Sequence, residues 1–65
     1  MRIKINGEDR EVSSKTVTDL LEFLGIDPKR VAVELNMEIL PKAKYSEKAI
    51  ADGDKIEIVH FVGGG

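Results

Sequence analysis

The sequence predicts an α+β fold, a single mixed sheet of four to five strands with one main helix packed across one face. Three observations lead there. Alternating apolar and charged residues open the chain at Met1–Ile5 and return at Lys55–Val62, the period of a strand. One stripe of apolar residues at helical spacing lies between them, at Val17, Leu20, Leu21 and Leu24. Asn6-Gly7 directly after the first run is a strong hairpin signal, since both residues tolerate positive φ.

The elements follow in order. Met1–Ile5 is a strand with one wet face, and Arg10–Ser13 returns antiparallel with Val12 facing inward. Thr16 precedes the helical stripe and Asp19 stands three residues later, a capping-box variant with Asp in place of Glu; Gly25 supplies the left-handed stop. Phe23 is expected to pack at the edge of the stripe. Ile26–Arg30 is a loop, because Pro28 has no amide for a ladder and biases Asp27 away from helix. Val31, Val33 and Leu35 share one face of the next strand. Asn36 turns the chain, and Glu38–Leu40 forms a short return strand ended by Pro41. Between Lys42 and Ala51 the signal is weak, and Ser46 is expected to cap one helical turn that tucks Ile50 inward. Asp52-Gly53-Asp54 is a turn.

In the last strand Ile56, Ile58, His60 and Val62 face one way, while Lys55, Glu57, Val59 and Phe61 face the other. A strand apolar on both sides belongs in the middle of a sheet. The first and last long strands, joined through the helix, lie side by side and parallel, since such crossovers are right-handed. This is the β-grasp arrangement.

Composition bounds what such a chain can do. Its 65 residues are 42% hydrophobic and 34% charged, enough for one small core and too few for a second domain or a large catalytic cleft. The expected organisation is a β-grasp body over residues 1–62 and a flexible glycine tail over 63–65. With no cysteine there is no disulfide framework, thiolate metal site or cysteine nucleophile, which fits a reducing cytoplasm. A net charge of -2 argues against nucleic-acid binding. No signal-peptide pattern or membrane-length apolar run is visible, so a cytoplasmic protein without membrane contact is expected.

Side chains offer little chemistry. His60, the single histidine, has no serine nucleophile at a recognisable spacing and no carboxylate partner motif, and reads as structural or surface decoration. Asp52 and Asp54 lack the remaining ligands of a calcium loop. Lys42, Lys44 and Lys48, with Glu47 interleaved, read as a solvated face. Arg2, Lys4, Arg10 and Lys15 could present a modest basic docking patch beside the hairpin. No catalytic residue and no metal site is expected.

Val59 and Phe61 carry more information, because a small protein gains little by exposing a phenylalanine. Either the chain covers that face itself or a partner docks on it, and docking is the reading favoured here. Gly63-Gly64-Gly65 decides the function. A frayed end is the simpler explanation of three glycines, but these follow a strongly apolar strand with no polar spacer. Without Cβ atoms, Gly63 and Gly64 can thread a narrow channel and present the carboxylate of Gly65 as the reactive group.

The hairpin start, the Leu-rich helix, Asp52-Gly53-Asp54 before a final apolar strand, and Gly64-Gly65 at the end together resemble the ThiS and MoaD family of ubiquitin-like sulfur carriers. The resemblance covers the whole chain. It implies that a ThiF-like partner, using ATP and magnesium that this chain does not itself bind, adenylates Gly65. A persulfide sulfur from a donor protein then displaces AMP to give a thiocarboxylate, and a ThiG-like thiazole synthase takes that sulfur for the thiazole ring of thiamin. The carrier is then a co-substrate, expected to be monomeric when alone. A carrier for molybdopterin synthesis or tRNA thiolation, a protein modifier, and a β-grasp interaction module are the competing readings; a small enzyme centred on His60 ranks last.

Overall fold

The structure is a computed structural model and describes residues 1–61. Five strands and one α-helix are built from them: β1 (Arg2–Ile5), β2 (Glu8–Glu11), α1 (Val17–Leu24), β3 (Val31–Leu35), β4 (Glu38–Leu40) and β5 (Lys55–His60). The strands form one sheet in the order β2-β1-β5-β3-β4, with β1 and β5 parallel and every other neighbour antiparallel. The apolar character of both faces of β5 is thus matched by its place at the centre.

Local chemistry explains each boundary. Ile5 pairs with Glu8 across Asn6-Gly7, whose φ values of 49° and 83° make a two-residue loop that asparagine and glycine enter at low cost. Leu35 pairs with Glu38 across Asn36-Met37 in the same way, at φ 52° and 74°. Thr16 Oγ1 accepts from the Asp19 amide at 3.2 Å while Asp19 Oδ2 accepts from the Thr16 amide at 3.2 Å, closing the capping box of α1. Gly25 ends the helix at φ 72°, donating its amide to the Glu22 carbonyl.

One face of the sheet is packed. Ile3, Ile5, Val31, Val33, Leu35, Ile56 and Ile58 turn toward α1 and meet Val17, Leu20 and Leu21, while Val12, Tyr45 and Ile50 close the edges of the cluster. Truncating one of these large side chains to alanine costs about 2–5 kcal/mol, a large share of what so small a domain has.

Four details differ from the sequence reading. The return strand is Glu8–Glu11 rather than Arg10–Ser13, because the two-residue loop lets pairing begin at once; Val12 is buried as expected, just past the strand. Phe23 is 64% exposed instead of packed at the stripe's edge. At ~100° per residue it projects about 110° from the mean direction of Val17, Leu20, Leu21 and Leu24, beyond the sheet's reach. The turn after β4 is a 3₁₀ turn over Lys42–Lys44 with Pro41 in the capping position, in place of a turn capped by Ser46. Its product is the burial of Tyr45 as well as Ile50. Finally, Pro28–Arg30 of the expected loop is a 3₁₀ turn, capped by Asp27 Oδ1 accepting from the Lys29 amide at 2.9 Å. Val62, assigned to the last strand and to the 1–62 body, lies outside the described residues.

Candidate functional site

The candidate site is the open face of the sheet and the last residues of β5. β5 is held on both sides along its length. Its five-residue register with β3 pairs Val31 with His60, Ala32 with Val59, Val33 with Ile58, Glu34 with Glu57 and Leu35 with Ile56. On the other side the parallel ladder with β1 is short, and Asn6 extends it: the Asn6 amide N–H donates to the Ile56 carbonyl at 2.9 Å and its side chain bonds both backbone groups of Ile58. Asn36 grips the start of the strand, donating its backbone N–H to the Lys55 carbonyl at 2.8 Å and accepting the Lys55 amide on Oδ1 at 3.0 Å. Both turn asparagines therefore serve β5 as well as their own loops.

The Asp52-Gly53-Asp54 turn fixes where β5 begins. Asp52 Oδ1 accepts the Arg2 amide at 2.7 Å, Asp54 Oδ2 accepts the Ala51 amide at 2.8 Å, and Gly53 takes φ 88°. Asp54 Oδ2 thus closes the turn, while Asp52 ties it to β1 and Asp54 Oδ1, accepting from Asn36 Nδ2 at 3.0 Å, ties it to the turn after β3. Among the described residues no group of three or more histidine or acidic side chains is placed to hold a metal ion.

Val59 and Phe61 are 55% and 45% exposed on the face opposite α1, so the described residues leave uncovered the apolar strip that the sequence placed there. Ala32 adjoins Val59 in register, and Ile39 extends the apolar surface beside Glu34. Phe61 is fixed at its backbone, where its N–H donates to the Arg30 carbonyl at 2.9 Å. Over its ring stands Lys42, with Nζ 5.0 Å from the centroid, a cation–π distance; the same Nζ donates to the Lys29 carbonyl at 3.2 Å. Lys42 therefore adjoins the candidate site. Its role was hidden in the sequence, since only the fold brings residue 42 beside residue 61.

The remaining candidates separate cleanly. His60 is exposed at the end of β5, and its side chain has no hydrogen-bond partner among the described residues. The basic patch beside the hairpin is partly neutralised: Lys4 Nζ lies 3.2 Å from Asp9 and Arg2 3.8 Å from Glu11, whose carboxyl is held below its ordinary value by its hydrogen bond with the N-terminal ammonium. Of the lysines read as a solvated face, Lys44 and Lys48 are exposed, while Lys42 departs from that reading by standing over Phe61. Gly63, Gly64 and Gly65, which the sequence made the reactive and threading residues, lie outside the described residues. No helix among the described residues is long and apolar enough to cross a membrane.

A five-stranded mixed sheet grasping one helix, with parallel first and last strands, defines a β-grasp protein of the ubiquitin-like class. Comparison with known proteins narrows this. The ThiS family model matches residues 3–65. The sulfur carrier protein ThiS of Bacillus subtilis is 45% identical over 65 residues, covering 97% of this chain and 98% of that protein. Thiazole synthase of Paramagnetospirillum magneticum is 56% identical over 66 residues, and there the chain, though matched along 100% of its length, spans only 20% of the relative. The crystal structure of the thiamine biosynthesis protein (ThiS) from Geobacter metallireducens superposes with a TM-score of 0.87 at 36% identity, covering 100% of both chains. The chain belongs to the ThiS family.

Proposed function

We propose that this chain carries sulfur for thiamin biosynthesis as a thiocarboxylate on Gly65, and that the face bearing Val59 and Phe61 docks the enzymes that load and unload it. The ThiS family match along residues 3–65, glycines included, is the observation that carries the reading. Chemistry supplies the order of events. A carboxylate is a poor electrophile, so an adenylating partner first joins Gly65 to AMP from ATP and releases pyrophosphate. A persulfide on a donor protein attacks the carbonyl and AMP leaves. A thiol then cleaves the sulfur–sulfur bond, freeing the thiocarboxylate and forming a disulfide with the donor. Thiazole synthase is the acceptor, a reading supported by relatives of that name that contain a stretch similar to this chain.

In this scheme the chain is a cytoplasmic, monomeric co-substrate. Its partners bind ATP and magnesium and supply the catalytic side chains. The body's contribution is mechanical: β5, braced by Asn6, Asn36 and β3, holds the face bearing Val59 and Phe61 in place. The test is growth. In a strain lacking its thiamin sulfur carrier, the full chain is expected to restore growth without thiamin, and a chain lacking Gly65 is not. Equal rescue by both would refute the reading.

A further inference from the structure

We infer that the cations gathered at the end of β5 form a docking collar for an acidic rim on the adenylating partner, with the Phe61 ring as the apolar contact at its centre. This rests on the carrier reading proposed above and adds the chemistry of the surface that receives it. Three basic residues meet there because the backbone brings them: Phe61 bonds to the Arg30 carbonyl at 2.9 Å, and Lys42 bonds to the Lys29 carbonyl at 3.2 Å while standing 5.0 Å over the ring. The side chains of Lys29, Arg30 and Lys42 are all exposed.

Little within the described residues answers this charge. Asp27 lies 3.6 Å from Arg30 Nε, an exposed pair of small energetic weight. On the same face the next carboxylates are Glu57 of β5 and its register partner Glu34 of β3, four residues from Phe61 and Arg30 respectively and so about 13 Å away, beyond a Debye length of ~8 Å at physiological salt. The excess of positive charge also runs against the chain's net charge of -2. Cations held together on an acidic protein repel one another until an anionic surface meets them. An apolar centre with a charged rim is the anatomy of a protein-docking surface, and rim charges act mainly on encounter rate and partner choice, which suits a carrier that must leave after each cycle.

The experiment measures KM and kcat for adenylation of the full chain by its cognate enzyme, at low and high ionic strength. Lys29→Glu/Lys42→Glu is expected to raise KM roughly tenfold at low salt, and Lys42→Ala about threefold, with kcat nearly unchanged and the difference shrinking at high salt. Lys4→Glu/Lys55→Glu makes the same change in net charge at the opposite end of β5, where the two lysines are register partners, and is expected to leave KM near the wild-type value. Thermal melts confirm that each variant is folded. Should Lys42→Glu fail to fold, Lys29→Glu alone, which leaves the ring contact intact, is expected to give a smaller rise of the same kind. An unchanged KM in the collar variants overturns the proposal, as does an equal rise in the control pair. Self-association of the carrier that Phe61→Ser abolishes would assign the surface to a second copy and overturn it too. If the wild-type chain is itself not adenylated, the carrier reading fails along with the collar.

Discussion

The side chain of Asn6 pairs with the backbone of Ile58 as though it were another strand residue: Oδ1 accepts the Ile58 N–H at 2.7 Å and Nδ2 donates to the Ile58 carbonyl at 3.2 Å. The β1–β5 ladder stops where β1 bends into its hairpin, and this one amide continues it, satisfying two backbone groups that would otherwise face a gap. Asn6→Gly keeps a residue suited to φ 49° and deletes only the amide. It is expected to lose about 2 kcal/mol of stability in urea unfolding, with Asn6→Asp losing at least as much because its second carboxylate oxygen replaces a donor and faces the Ile58 carbonyl. A glycine variant as stable as wild type would show that water replaces the amide without cost.

Met37 occupies the left-handed region at φ 74° with its side chain 86% exposed, so its conformation is costly and its packing contributes little. Met37→Gly is expected to gain up to ~1 kcal/mol, read as a higher unfolding midpoint with unchanged slope. A loss of stability would mean that the thioether is held by contacts worth more than the backbone strain.

The two exposed phenylalanines should behave differently. Phe61→Asp is expected to weaken binding to the adenylating partner about tenfold or more while changing the melting temperature only slightly, since the ring is half-exposed and lies outside the buried core cluster. Phe23→Ser, on the outward side of α1, is expected to change stability by no more than about 0.5 kcal/mol and to leave that binding intact. Unfolding by Phe61→Asp would instead make that ring part of the core.

Stability should decline at both ends of the pH scale. Burial raises the Tyr45 phenol above 10.0, an effect partly offset by the Val33 backbone. The folded state thus holds this proton more tightly, and the contribution is complete below the unfolded value and lost as pH rises through the folded one. Glu11 has the opposite sign. The N-terminal ammonium, by hydrogen bond and then by charge, lowers it below 4.5, so its contribution is present above that value and lost as pH falls through the lowered one. Urea titrations across pH should show Tyr45→Phe flattening the alkaline limb and Glu11→Gln the acid limb. Unaltered limbs would place the linked groups elsewhere.

Much of this was legible in the chain because it rests on local chemistry. Asn6-Gly7, the Thr16–Asp19 box and Gly25 each set their own geometry, and the structure keeps all three. The double-sided pattern of β5 correctly located the centre of the sheet and the exposed apolar strip. What stayed hidden depends on contacts distant in sequence. A residue at the border of a helical stripe is buried only if a neighbour reaches it, and Phe23 stays 64% exposed. Tyr45 sits after a three-residue turn too short to show a period, and it is the tertiary fold that carries it into the core. Lys42 looked like one more solvated lysine until the fold set it over an aromatic ring 19 positions away. The asparagine grips on β5 likewise join turns to a strand that the sequence places far from them.

The claim at the centre of this account is covalent, and intact-mass spectrometry reads it directly. After incubation with its adenylating enzyme, ATP, a persulfide donor and a thiol, the full chain is expected to gain the mass difference of one oxygen exchanged for sulfur, located by fragmentation at Gly65, while a chain without Gly65 stays unmodified. A full chain of unchanged mass beside an enzyme shown to be active, or sulfur found anywhere other than that terminal carbonyl, would contradict it.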